Sequence, residues 1–327
     1  MPKSTEPSWA TVIATTLRLW FERHPVLSRR APRRRRLAVL IAVLAVVIAG
    51  SVGAASAVLT QGSVTSAVRS SAAGPSGGGS SSSGSGLGAS AEVRAETATW
   101  IAAQIAPSAI VACDPAMCAA LEADRMPTTS LTVLGAAAVD PLGSDLVVAT
   151  AAVRAEFGQR LAGVYAPELI ASFGSGTERI DVRAIAADGA KAYRSSLSAD
   201  LGSRVAAARQ LLGNPQLTVA AGARSALAAG DVDSRLLTLL AGLAAEQPVT
   251  VLAFGDKSPG ADSSVPLRSV QVAPRISPAK AGTRLRAMRS FVQAQQQPYL
   301  PLRTSTAGSS LTVEYAAPSP LGLLSGP

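Results

Sequence analysis

Cys113 and Cys118 are the only two cysteines of the chain, and their C-x₄-C spacing is its most specific chemical signal. Between them, Asp114 suits a helix N-cap and Pro115 the first helical position, which puts Cys113 just before the cap and Cys118 in the first turn. Residues at those two places normally touch as a hydrophobic staple, so the spacing predicts a structural disulfide. A thioredoxin-like redox pair would need a two-residue interval, and two thiolates without nearby histidine do not complete a zinc site.

The other candidates are weaker. His24 is the only histidine and stands near the N-terminus, so the body of the chain cannot build a Ser-His-Asp triad or a histidine-ligated metal centre. Ser277-Pro278-Ala279-Lys280 matches S-x-x-K, yet no S-D-N element accompanies it, and Pro278 disturbs the helical spacing that would aim the lysine at the serine. The carboxylates nearest in sequence, Asp231 with Asp233 and Asp140 with Asp145, could cleave glycosides only if held about 5–9 Å apart around a sugar cleft. Helix capping and turn solvation account for the same aspartates. Phe173-Gly174-Ser175-Gly176 and the stretch from Phe254 to Gly260 complete neither G-x-G-x-x-G nor a Walker A pattern, and read as turns. No catalytic residue, cofactor or metal site is assigned.

Charge then locates the chain. The formal net charge is +9, but residues 1–36 hold nine basic and two acidic residues, and the remainder is close to balanced. The basicity therefore belongs to a leader rather than to a nucleic-acid-binding face, and no nucleic-acid partner is expected. Residues 37–59 form an uncharged apolar run of 23 residues, about 34 Å as a helix and enough to cross a hydrocarbon core of about 30 Å. Arg33, Arg34, Arg35 and Arg36 abut its start, and no charge follows it until Arg69, which predicts a single-pass span with the N-terminus cytoplasmic and the C-terminal part extracytoplasmic. A cleaved signal peptide ending near Ala55-Ser56-Ala57 is the alternative, opposed by the long leader. Within that leader Trp9, Val12, Ile13, Thr16, Leu17, Trp20 and Phe21 share one helical face, which fits an interfacial helix or a disordered tail that sets topology.

The domains expected are a basic leader (1–36), a transmembrane helix (37–59), a Gly/Ser-rich flexible linker (60–91), an α/β subdomain (92–213) and a smaller α+β subdomain (214–327). Helices are predicted over 92–106, 115–124, 151–163, 189–212, 221–229, 234–245 and 282–296. Strands are predicted over 109–113, 131–134, 145–149, 169–173, 179–186, 249–254, 267–272 and 311–315. The first group should form a mostly parallel sheet closed by a hairpin through Gly174-Ser175-Gly176. Gly213-Asn214-Pro215 marks the subdomain boundary.

Trp100-Ile101, Ile110-Val111 with Asp114, the run Asp145-Leu146-Val147-Val148-Ala149-Thr150, Val153-Arg154, Ile170-Ala171-Ser172-Phe173-Gly174 and Arg179-Ile180-Asp181-Val182-Arg183 carry a resemblance. This stretch resembles an actinobacterial extracytoplasmic α/β domain of unknown function, also found at the C-terminus of some polytopic mannosyltransferase-type membrane glycosyltransferases. The many-helix catalytic part of those transferases has no counterpart here, so no transferase activity is carried over. The resemblance implies an accessory module at the outer membrane face, in envelope or glycan assembly. The function expected is a membrane-anchored, non-enzymatic module binding an envelope protein or glycan. The alternative is an extracytoplasmic carboxylate-dependent hydrolase acting on cell-wall or glycan substrates.

Overall fold

The computed structural model describes residues 83–135, 140–255, 258–275 and 278–324. The leader, the apolar run at 37–59 and most of the linker lie outside them. The described residues belong to one contact-defined unit, and among them no helix is long and apolar enough to cross a membrane.

The first half runs α1 (Ser83–Gln104), β1 (Val111–Cys113), α2 (Pro115–Ala123), β2 (Leu131–Val133), β3 (Leu146–Ala149), α3 (Ala151–Phe157), β4 (Glu168–Phe173) and β5 (Ile180–Ala184). Its five strands pair in the order β2-β1-β3-β5-β4. Strands β2, β1 and β3 are mutually parallel, while β5 is antiparallel to both β3 and β4. Apolar side chains fill both faces of this sheet. Ala98, Ile101, Met117 and Leu121 from α1 and α2 pack on Val111, Leu146, Val148 and Val182. Ala112, Val147 and Ala149 meet Val153, Leu161 and Tyr165 on the opposite face. Continuous burial of Leu146-Val147-Val148-Ala149 is what a central strand between two helical layers requires.

The second half runs α4 (Ala190–Leu212), β6 (Leu217–Val219), α5 (Ala221–Ala229), α6 (Ser234–Glu246), β7 (Val249–Gly255), β8 (Ser269–Pro274), α7 (Pro278–Gln293), β9 (Arg303–Ala307) and β10 (Ser310–Glu314). The order is β6-β7-β8-β10-β9, with only β6 and β7 parallel. Here one face is dry: Val249, Val251, Val270, Val272, Leu311 and Val313 lie under α5, α6 and α7. Thr250, Gln271 and Thr312 on the other face remain partly exposed, the alternation of a sheet solvated on one side. Helix α6 buries Leu236, Leu237, Leu239, Leu240 and Leu243, so it is apolar nearly all round and runs through the core. Both halves contain the same unit of strand, helix and hairpin, β3-α3-β4-β5 and β8-α7-β9-β10. In each, the second hairpin strand lies antiparallel beside the first strand of the unit.

Four expectations change. The first sheet is mixed rather than mostly parallel: the predicted hairpin through Gly174-Ser175-Gly176 forms, but its second strand takes the inner place. Ile180, Val182 and Ala184 of β5 are all buried, whereas β4 sits at the edge, where the outward backbone of Leu169 and Ser172 meets residues 259–262. The first helix, α1, begins at Ser83 rather than Glu92. Glycine and serine are poor helix formers, but a helix already seeded downstream extends without a second nucleation cost. The helix predicted over 151–163 stops at Phe157, where Gly158 has φ 52°, and a π-helical turn at Leu161–Tyr165 follows. Strands β6 and β9, three and five residues long, were not predicted.

Candidate functional site

Strands β1 and β3 end side by side. The crossover from β1 through α2 places β2 on one flank of β1, while β3 lies on the other, so a topological switch falls between their carboxyl ends. In open α/β sheets that crevice is where ligands sit. Asp114 stands at its mouth, with Oδ1 accepting the backbone N–H groups of Ala116 at 3.0 Å and Met117 at 3.1 Å. Its Oδ2 accepts the hydroxyl proton of Thr150, the residue that caps α3. A disulfide joins Cys113 to Cys118 with their Cα atoms 5.4 Å apart, closing the β1–α2 turn beneath Asp114. Arg154 donates to the carbonyls of Ala149 at 2.7 Å, Thr177 at 3.2 Å and Arg179, which fastens the β4–β5 turn to the same edge. Since the Asp114 carboxylate already occupies the start of α2, the dipole there is satisfied and an anionic ligand gains nothing from it. The polar groups of this edge, Asp114, Thr150 and Arg154, are held by hydrogen bonds within it.

A second polar cluster lies between the two sheets. Glu168 opens β4 with 6 % exposure and accepts a hydrogen bond from the Tyr193 hydroxyl on α4. Burial pushes the Glu168 carboxyl above the ordinary glutamate value, opposed by the Tyr193 hydrogen bond; burial beside Glu168 likewise raises the Tyr193 phenol. About two turns further along α4, Asp200 and Arg204 form a buried ion pair at 2.8 Å. Asp200 also accepts from Ser234 Oγ at 3.4 Å and Gly322 N at 3.1 Å, and Arg204 donates to the Gly230 carbonyl. Arg268, fully buried, donates to the carbonyl of Tyr315 at 2.7 Å, to Gln104 Oε1 at 3.1 Å and to Ser258 Oγ at 3.3 Å. Glu168, Asp200, Arg204 and Arg268, with Ile170, Val265 and Pro266, line a cavity of about 10 Å³, the room of about one water molecule. The cluster thereby ties α1, β4, α4, α6 and the C-terminal segment together through charge-assisted hydrogen bonds.

Of the aspartates weighed from sequence, Asp140, Asp145 and Asp233 have their carboxylates engaged by the backbone or by a cation, whereas Asp231 is exposed and takes part through its backbone carbonyl. Asp140 accepts from Leu142 N at 2.8 Å, and Asp145 from Ile110 N at 2.8 Å. Asp233 caps α6 and pairs with Arg235 at 2.7 Å, and the Asp231 carbonyl accepts from Leu267 N at 2.7 Å. Ser277 lies outside the described residues, as does His24, and Lys280 falls in the first turn of α7. No family model, curated protein or solved structure matches this chain. Among the described residues no group of three or more carboxylate, histidine or cysteine side chains is placed to hold a metal ion. Aromatic rings are mostly spent on packing: Trp100 meets Phe173 with centroids 5.7 Å apart, and Phe157 meets Tyr165 at the same distance. The buried groups that sequence reasoning missed are Glu168, Tyr193, Asp200, Arg204 and Arg268. Only the Asp200–Arg204 interval of four residues on a helix carried a local signal; the partners of the others are brought together by the tertiary fold.

Proposed function

We propose that the chain is a single-pass membrane protein with a cytoplasmic N-terminus. Its extracytoplasmic α/β region acts as a non-enzymatic module binding an envelope protein or glycan at the carboxyl edge of the first sheet. The observation that carries this reading is the Cys113–Cys118 disulfide at that edge. Such bonds persist in oxidising compartments and are rare in the cytosol, and the arginine cluster followed by the apolar run at 37–59 supplies the route out. By holding the β1–α2 turn beneath Asp114, the bond also preorganises the surface to which a partner would dock. The resemblance to the exported domain of mannosyltransferase-type membrane proteins belongs to the same reading.

The test is site-specific photocross-linking in intact cells, with the reactive group at the exposed positions Ala116 and Ala151, flanking the crevice, and at Arg224 on α5 as a remote control. The proposal expects one reproducible adduct, protein or glycan, at Ala116 and Ala151 and not at Arg224. Equal labelling at all three would remove the docking edge. Glycan cleavage by the purified full-length chain, abolished by a single carboxylate loss, would establish the hydrolase instead.

A further inference from the structure

Between Asp262 and Glu314 the chain has seven basic residues and no acidic one. Arg268 is buried, and Arg275 and Arg303 donate to the carbonyls of Pro215 and Ala103. Arg284, Arg286 and Arg289 on α7 are different. All three are exposed, as are Thr283, Ala287, Ser290 and Gln293 around them, while Leu285, Met288 and Val292 hold the inner side of the helix in the core. Among the described residues none of the three forms an ion pair. Arg286 reaches only the Thr283 hydroxyl at 3.4 Å. Exposed Glu246 precedes Gln247, whose amide donates to the Arg284 carbonyl. The face is thus a cationic surface with neutral polar side chains between its charges.

We infer that the outer face of α7 docks on the anionic headgroups of the membrane to which the chain is anchored. This rests on the anchored, exported reading above. Only 23 residues separate the end of the apolar run from the start of α1. A chain of that length reaches at most about 80 Å when fully extended, so the face would remain within reach of one lipid surface throughout. Guanidinium groups pair well with phosphate, and each cation near an anionic surface contributes about a fivefold gain in partition. Docking through α7 would hold the domain against the bilayer in one orientation and leave the first sheet free to meet a partner.

The experiment uses the full chain in vesicles of phosphatidylcholine alone or mixed with phosphatidylglycerol. Ser290→Cys provides a thiol for an environment-sensitive fluorophore, the native cysteines being paired. The expected result is a blue shift in the anionic vesicles only, reversed near 1 M salt, where the Debye length falls to about 3 Å. It should be lost by about a hundredfold in docked fraction on Arg284→Gln, Arg286→Gln and Arg289→Gln together. The matching Arg→Lys triple should retain most of it, since charge is kept. Equal emission in both vesicles, or a shift unchanged by the glutamine triple, overturns the inference. Alkaline extraction followed by flotation tests the anchor separately: a chain that leaves the vesicles on extraction overturns the anchored reading itself, whatever the fluorophore reports.

Discussion

Cys113 and Cys118 close a loop so short that the chain-entropy estimate gives about 2 kcal/mol. Replacing both by alanine should lower the unfolding free energy by about that amount in urea titrations under oxidising conditions, and added reductant should reproduce the effect in the native chain. No change in midpoint would mean that Asp114 and its capping bonds already hold the turn. Glu168 makes a pH-dependent case. Its folded value lies above the ordinary glutamate value because burial opposes the charge, so the folded state binds the proton more tightly than the unfolded chain. Stability from this group is therefore complete below the ordinary glutamate pKa and is lost as pH rises through the elevated folded value. Glu168→Gln removes the titration, so its destabilisation relative to the native chain should shrink as urea midpoints are compared from about pH 4 to pH 7. A constant difference across that range would contradict the burial argument. The cysteine pairing was legible in sequence because cap, proline and spacing act within six residues. Glu168 was not, since its environment is assembled from Tyr193, Asp200 and Arg204 on another element.

At the scale of elements, the edge of β4 is protected by the loop at 258–262. Ser172 N donates to the Pro259 carbonyl at 2.7 Å, and Leu169 N to Asp262 Oδ2 at 3.0 Å. An unpaired edge would invite association with other chains. Gly260 permits the approach: its φ is 59°, and an added Cβ would lie 2.9 Å from Ser172 Cβ. Gly260→Ala therefore combines left-handed backbone strain of about 1–2 kcal/mol with a contact that pushes the loop off the edge. The expected outcome is a loss of about 2 kcal/mol or more, with faster amide exchange at Leu169 and Ser172. Wild-type exchange at both amides would show that the loop is not what covers them. Helices were the legible elements: α5 matches its predicted span, and α4 and α6 match theirs to within a residue, because caps and periodicity are local signals. Strands β6 and β9 escaped for a different reason. Leu217-Thr218-Val219 is too short for alternation to register, and Arg303-Thr304-Ser305-Thr306-Ala307 is an edge strand with no apolar face of its own.

Over the whole molecule, the α/β class followed from alternating helix and strand signals, but the pairing of β5 rather than β4 with β3 did not. That choice is made by burial on both faces of a central strand, a property of the sheet and not of either segment. The burial of the Asp200–Arg204 ion pair and of Arg268 likewise arises only once the two sheets and α4 meet. The proposed membrane topology rests on nine basic residues followed by 23 uncharged ones, and the proposed function depends on it. The most direct measurement places tags at both ends of the full chain, treats intact cells with an impermeant protease, and traps free thiols before lysis. The account expects the N-terminal tag to be protected, the C-terminal tag to be removed, and Cys113 and Cys118 to be unreactive until reduced. Protection of both tags together with freely reactive cysteines would contradict it.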